Sequence, residues 1–578
     1  MKPTAVWFLF CVAASAVPET HRLTPAHPEL FQPAILDAYR TGAHRITIPP
    51  GTYRITPPVT GSHLQFADMS DFEIDAQGVH LILADQTRGG IEFRNCRNVR
   101  LRGAQIAYEI PPFTQGVIEG IAWTGKWYDV RIERGYPTNL DEPKYFSSHP
   151  LAHLFDPRFR LLKAGTYDLY PDRIQRSGPD RFRLYWNRAS GPLLHPVAVG
   201  DLIAFRGAGY HSVTVIDCAR VDLTGVTIYN AGNFAIWESG GEGENHYTVT
   251  VTRGSRPPGA TADPLLSSTA DAFHSTNVRK GPVLERCDFE GMADDGIAIQ
   301  GTYSFVFQAN GNRLVINQNT FRPGDPLRLL DVASRPAGEA IVESVRPLAN
   351  FVSERKSRRS TRQDNTAGPY FAISLDRPLP AEFDFLASNP AASGRGYVLR
   401  GNRIRNHRAR GMLLKTDDGL VEDNVIDGSS MGGIVLSPEI WWNEASYSSN
   451  VVIRGNTIRH VAYAPRQLGA MVIANTEAPV VGCGHQHISI QQNVFEALDG
   501  VNLYLSSACD VSVTGNRFVA ARNAGAVIRL IGVNRVGFDS NLVIAPDPKR
   551  QALIEAKASA QVRGEDTGIK ACAQNGCH

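Results

Sequence analysis

A short pattern that returns with an asparagine in the same phase constrains this chain more than any other feature. Leu399-Arg400-Gly401-Asn402-Arg403-Ile404 recurs as Val421-Glu422-Asp423-Asn424-Val425-Ile426 and as Ile453-Arg454-Gly455-Asn456-Thr457-Ile458. It returns as Ile490-Gln491-Gln492-Asn493-Val494-Phe495, Val513-Thr514-Gly515-Asn516-Arg517-Phe518 and Asp539-Ser540-Asn541-Leu542-Val543, with asparagine steps of 22, 32, 37, 23 and 25. Alternating apolar and polar residues make short strands with one buried face, and Asn or Gly marks the turn between them. A 22- to 25-residue step holds three short strands and their turns, one coil of a right-handed parallel β-helix. Stacked Asn side chains can then ladder from coil to coil, and the longer steps leave room for loops at one corner. Val99-Arg100-Leu101-Arg102-Gly103 and Val221-Asp222-Leu223-Thr224-Gly225 carry the same alternation without the Asn.

The rest of the chain fits an all-β fold: such a β-helix with two inserted antiparallel β modules and an N-terminal capping helix. Between Pro28 and Arg40, Leu30, Phe31, Ala34, Ile35, Ala38 and Tyr39 form one helical face, suited to covering the open end of a coil stack. Ile46 to Ile55 then reads as strand, turn, strand, and resembles the opening of pectate-lyase-like β-helix proteins. Two stretches break the repeat, from Gly120 to Gly207 and from Phe305 to Tyr397. The expected division is therefore 1–16 signal peptide, 17–119 cap and first coils, 120–207 first insert and 208–304 coils with an acidic site. It continues as 305–397 second insert, 398–562 C-terminal coils and 563–578 tail. Ser353 to Thr366, with Arg355, Lys356, Arg358, Arg359 and Arg362, reads as a solvated basic loop.

Composition narrows the partners. In 578 residues, 59 Lys and Arg balance 57 Asp and Glu, which argues against a nucleic-acid backbone as ligand. Lys2, the apolar run Ala5 to Ala13 and Ala14-Ser15-Ala16 form a secretory leader, too short to span a bilayer. A secreted or periplasmic protein without stable membrane insertion is expected, and the sequence leaves self-association open. Export permits disulfides. Cys483 with Cys509 and Cys572 with Cys577 are candidate pairs, whereas Cys96, Cys218 and Cys287 lie in strand-like runs and read as buried hydrophobes. No cysteine spacing matches a zinc signature.

The sharpest cluster is acidic. Ala270-Asp271-Ala272-Phe273-His274 precedes Ala293-Asp294-Asp295-Gly296-Ile297-Ala298-Ile299-Gln300-Gly301, and Asp271 and Asp294 are 23 residues apart, one coil. With rungs ~4.8 Å apart, three carboxylates come within interaction range. Like charges that close push one pKa up, giving an acid beside bases, which glycosidic cleavage requires. Taken alone, the residues also fit a calcium site or a stacked acidic turn.

These aspartates resemble the site of inverting β-helix glycosidases such as the polygalacturonases of glycoside hydrolase family 28. The similarity is closer to glycoside hydrolase family 110, β-helix α-galactosidases acting on α-1,3-linked galactose. It is carried by Thr269 to His274, Cys287 to Asp295, Arg408-Ala409-Arg410-Gly411-Met412-Leu413-Leu414 and Trp442-Asn443-Glu444. The resemblance implies an exo-acting, metal-independent hydrolase of an oligosaccharide or polysaccharide, with no cofactor. Asp294 would protonate the leaving oxygen while Asp271 and Asp295 activate a water, at roughly 6.5–9.5 Å separation for inversion. Gln300 and Ala298 depart from the His and Asn that the resemblance leads one to expect. Trp237, Glu238, His274, Gln300, Arg410, Trp442 and Glu444 are candidate substrate contacts; Arg410 and Lys415 can neutralise the carboxylate cluster or read as surface charges. A β-helix polysaccharide lyase, a polygalacturonase-like enzyme and a non-catalytic carbohydrate-binding protein are the alternatives.

Overall fold

The computed structural model describes residues 23–122, 126–186, 196–353, 368–477, 482–497, 500–520, 525–545, 552–564 and 568–573. The leader, the basic loop and Cys577 lie outside them. Three parallel ladders run the length of the chain. One stacks Leu64–Ala67, Ile91–Arg94, Val213–Ile216, Ile236–Ser239, Phe273–Thr276, the start of Ile297–Asn310, Met412–Lys415 and Ile434–Leu436. The same ladder continues through Gly469–Ile473, Val501–Ser506, Ala526–Ile531 and Ala552–Lys557. The other two ladders are built the same way, for example from Val398–Arg400 through Leu420–Glu422 and from Arg403–His407 through Val425–Ser429. The fold is a right-handed parallel β-helix.

Alternation fills its lumen. Inward residues form one continuous apolar core from Leu23 to Ile569, with stacked rings such as Phe66 on Phe93 and Phe495 on Phe518. The helix Phe31–Arg40 buries Phe31, Ala34, Ile35 and Ala38, and sets Phe31 edge-on to Tyr53 at 5.3 Å. Pro28–Leu30 adds a single 3₁₀ turn before it.

At the Asn corner each amide serves the next. The backbone N–H of Asn402 donates to Asn424 Oδ1, Asn424 to Asn456, Asn456 to Asn493, Asn493 to Asn516 and Asn516 to Asn541, all at 2.9–3.0 Å. The side-chain NH₂ groups repeat the same pairing. Cys287 stands at this position one coil earlier and donates its N–H to Asn402 at 2.9 Å. Cys483 and Cys509 form a disulfide between adjacent coils, and Cys96, Cys218 and Cys287 are buried thiols.

Two antiparallel β modules interrupt the coils. The first begins at Phe113, earlier than Gly120, and has six strands ending with Leu202–Arg206 around its own core. The second grows out of a rung: Ile297–Asn310 starts parallel to its neighbours, pairs at Gly301 and Thr302 with Glu444–Ala445, then joins an antiparallel sheet. Among the described residues, no helix is long and apolar enough to cross a membrane.

Candidate active site

One wall of the β-helix supplies the site. On the first ladder Ile236, Glu238, Phe273, Ser275, Ile297 and Ile299 point into the lumen, so their neighbours point out. Register aligns Trp237, His274, Ala298, Leu413 and Val435 in one outward row. The same register extended to the preceding turn sets Asp271 level with Asp295, and Arg410 level with both one coil on. The sequence spacing matched Asp271 with Asp294; the true coil step here is 24 residues, so Asp295 is its partner. The backbone confirms it, with Ala272 N–H donating to the Asp295 carbonyl at 3.1 Å and Asp295 N–H to Asp271 Oδ1 at 3.3 Å. Gly296 closes the turn because a Cβ there would lie 2.5 Å from the Gly411 carbonyl oxygen.

The three carboxylates converge, each offering an oxygen within 4.8 Å of the others. They lie in a cavity of about 650 Å³ whose other walls come from the first insert, through His149 and Tyr170, and from the Trp442 loop. Such a trio has the oxygen donors a hard cation takes. Guanidinium groups, however, already occupy the space around it.

Charge divides the trio. Asp294 meets Arg206 at 3.1 Å and Arg408, which in turn pairs with Asp168 at 2.9 Å. Burial raises the Asp294 pKa, but these guanidiniums, with Arg410 behind them, outweigh it and hold the carboxyl below the ordinary range. Asp295 accepts the Arg410 N–H at 2.7 Å and meets its Nε at 3.3 Å. Burial beside Asp271 and Asp294 nonetheless pushes Asp295 well above the usual carboxylate range. Asp271 is raised as well, chiefly by burial, against the lowering effect of His274 at 2.7 Å from its Oδ2. Two of the three carboxyls are therefore raised, Asp295 and Asp271, whereas Asp294, which the resemblance casts as the acid, is held low. Exposure runs the other way: Asp294 is 23% exposed at the pocket surface, whereas Asp271 and Asp295 are 5% and 6%.

The remaining candidates separate by the face they occupy. His274, Arg410, Trp442 and Glu444 line the cavity. Glu238 does not: it points into the lumen, fully buried, and accepts from Asn245 at 2.9 Å, Tyr247 at 2.7 Å and Ser275 at 2.5 Å. Strand alternation, invisible in the local sequence, puts it there. Trp237 shares the outward row but packs its ring on His211, 4.8 Å away, outside the cavity lining. Gln300 lies behind His274, 1% exposed, with Nε2 2.7 Å from His274 Nε2. It holds another residue and does not line the pocket. Arg410 and Lys415 are not surface charges. Arg410 grips Glu439 at 2.9 and 3.0 Å, and Lys415, with no exposed side-chain surface, pairs with Glu439 at 3.1 Å and with Glu444.

Sequence reasoning gave no role to Arg206, Asp168 or Glu439, and only the Arg408-Ala409-Arg410 run hinted at Arg408. Residues 391–566 match the model of the right handed beta helix region. Alpha-1,3-galactosidase A of Shewanella woodyi is 21% identical over 478 residues, covering 77% of this chain and 73% of the relative. Alpha-1,3-galactosidase A of Bacteroides fragilis is 22% identical, covering 85% and 84%. Over most of its length the chain is similar to alpha-1,3-galactosidases. Alpha-1,3-galactosidase B of Akkermansia muciniphila is 26% identical over 62% of the chain and 44% of its own length. Among solved structures, the family 28 exopolygalacturonase of Yersinia enterocolitica aligns over 92% of this chain and 74% of its own, at 12% identity and TM-score 0.39. A mannuronan C-5 epimerase A-module of Azotobacter vinelandii covers 94% and 95%, at 10% identity and TM-score 0.39. The curated relatives support a glycoside hydrolase.

Proposed function

We propose that this protein is an exported α-galactosidase that hydrolyses α-1,3-linked galactose from the end of an oligosaccharide or polysaccharide. The observation that carries the reading is the convergence of Asp271, Asp294 and Asp295 within 4.8 Å, inside a walled cavity, in a chain related to alpha-1,3-galactosidases. A pocket walled by an insert and the Trp442 loop suits a chain end better than a chain middle. The leader-like first 16 residues, outside the described part, support export.

In the proposed reaction Asp294 protonates the leaving oxygen, because it is the most exposed of the three in the pocket. Asp271 and Asp295 draw the proton from the attacking water, and the anomeric configuration inverts. Arg410 and Glu444 line the same pocket and can take sugar hydroxyls, and Trp442, 44% exposed, offers an aromatic face. No cofactor enters the proposal.

Two observations favour a second mechanism for the same hydrolysis. The carboxylate oxygens approach more closely than the separation of roughly 6.5–9.5 Å that inversion calls for, and nearer to the ~5–5.5 Å of retaining enzymes. The arginines also leave Asp294 ionised, as a nucleophile must be, and Asp295 raised, as a donor must be. Proton NMR of the first-formed sugar from an α-1,3-linked galactobiose decides between them. β-Galactose indicates inversion and α-galactose retention. No release from any α-galactoside overturns the substrate, and an unsaturated product indicates a lyase.

A further inference from the structure

We propose that Lys415 and Gln300 form a positioning relay that fixes the tautomer of His274 and so presents Asp271 as an acceptor-only base. The inference rests on Asp271 serving as a base in the reading above. It deepens that reading by giving two residues behind the pocket a part in the proton inventory.

An ammonium can only donate. Lys415 is held by Glu439 and Glu444, and those two carboxylates keep it charged despite complete burial. Its Nζ lies 3.5 Å from Gln300 Oε1. Were the amide turned over, its NH₂ would face the ammonium, donor against donor. The carbonyl oxygen therefore faces Lys415 and the NH₂ faces His274, 2.7 Å from Nε2. An imidazole nitrogen facing an NH₂ must accept, so Nε2 is bare and the ring proton sits on Nδ1. That proton points at Asp271 Oδ2, 2.7 Å away. The other oxygen of Asp271 accepts the Asp295 N–H at 3.3 Å. Both oxygens of Asp271 thus face donors, an arrangement that suits the ionised carboxylate.

The ring cannot turn to escape this. Phe234 stacks on it with centroids 4.1 Å apart and planes 7° from parallel, and the main chain of the strand Phe273–Thr276 is fixed by ladders on both sides. The charged and titratable groups that face His274 are Asp271, Glu444 and His211, and Lys415 stands behind Gln300. Placing the proton on Nε2 instead would oppose two donors at Gln300 and two acceptors at Asp271. An amide takes up no proton across the working pH range, so Gln300 holds the setting where a titrating side chain at this position would not.

The test reads the tautomer directly, without substrate. In the full chain labelled with ¹⁵N-histidine, His274 is located by difference against His274→Asn, and the proton is expected on Nδ1. Gln300→Glu places a carboxylate against Nε2, which then carries a proton; kcat falls ~10-fold or more with KM nearly unchanged, and the acidic limb of the rate profile moves. Gln300→Met removes the donor while keeping the volume; it gives mixed tautomers, and serves if the Glu variant does not fold. A wild-type proton on Nε2, or proton placement unchanged in both folded variants, overturns the relay. The expected tautomer in a protein that cleaves no α-galactoside would instead leave the relay standing and overturn the functional reading alone.

Discussion

Two buried polar columns climb the same β-helix, and they solve the same problem in opposite ways. In the C-terminal coils Asn402, Asn424, Asn456, Asn493, Asn516 and Asn541 stack one above another. An amide carries both donor and acceptor, so identical copies satisfy each other and the column needs nothing from outside. In the middle coils Asp271 and Asp295 stack with the same rise, and Asp294 beside them. A carboxylate only accepts, so identical copies repel, and each requires a cation or a proton. Arg206 arrives from the first insert, Arg408 and Arg410 from the next coil. The first column stores stability; the second holds charge in a state that a substrate can use. On the same wall the acidic column gives way to Gly432 and Gly469 in the following coils, where the charge ends.

The largest effect should come from removing a charge in the second column. Asp294→Asn is expected to cut turnover of an α-1,3-linked galactobiose by ~10²–10⁴-fold, with a loss of stability limited by the Asp168 that Arg408 keeps. The variant also tests the donor role. If Asp294 is the acid, a substrate with a good leaving group such as dinitrophenol restores much of the rate; if Asp295 is the acid, only Asp295→Asn shows that rescue.

Placing a carboxylate in the first column should do the reverse. The side-chain NH₂ of Asn456 donates to the Val421 and Arg454 carbonyls and to Asn493 Oδ1. Asn456→Asp would set an acceptor against three acceptors, at a cost of ~3 kcal/mol or more, read as a lower denaturant midpoint. The folded fraction should keep a kcat within about twofold of wild type, since an intact acid–base site retains its contribution. If Asp294→Asn destabilises as much as Asn456→Asp, the division between the columns fails.

Acidity gives a third contrast. A carboxyl whose folded pKa is depressed, as in Asp294, contributes stability above its unfolded value that is lost as pH falls through the folded one. A carboxyl whose folded pKa is raised, as in Asp295, costs stability once pH climbs above its unfolded value, and this cost stops growing above the folded pKa. At neutral pH Asp295 is therefore a net burden, and Asp295→Asn should melt ~1–2 °C above wild type. The gap should close as pH falls toward the ordinary carboxylate range. A gap that stays constant with pH would mean that the burden does not arise from titration.

How much of this was legible depended on whether a feature repeats. The Asn column announced the β-helix because one contact, made five times among six asparagines, leaves the same residue in the same phase. The acidic pair was legible for the same reason, although counting residues matched Asp271 with Asp294 where the ladder matches it with Asp295. Arg206 and Asp168 left no such trace. They reach the site from an insert, 88 residues from Asp294 and 240 from Arg408, through contacts made once. Lys415 looked like a surface charge because its partners, Glu439 and Glu444, come from a loop whose course the sequence does not encode periodically.

The smallest effect tests the clearest misreading. Trp237 and Glu238 are neighbours, and an aromatic beside a carboxylate is what a sugar site uses, so the sequence offers both as substrate contacts. In a strand neighbours face opposite ways. Pairing of Ile236–Ser239 with Phe273–Thr276 turns Glu238 inward beside Ser275, where Asn245, Tyr247 and Ser275 all donate to it. Burial raises its pKa, and its side chain faces the lumen, away from the pocket. Glu238→Gln keeps the volume, and the Tyr247 and Ser275 hydroxyls can rotate to meet the new NH₂. The expected result is a kcat/KM within about twofold of wild type, a loss of less than ~0.5 kcal/mol of transition-state stabilisation. A loss of ~100-fold would mean that the lumen side of this wall communicates with the reaction, and the inside–outside division of the strand would no longer separate structure from chemistry.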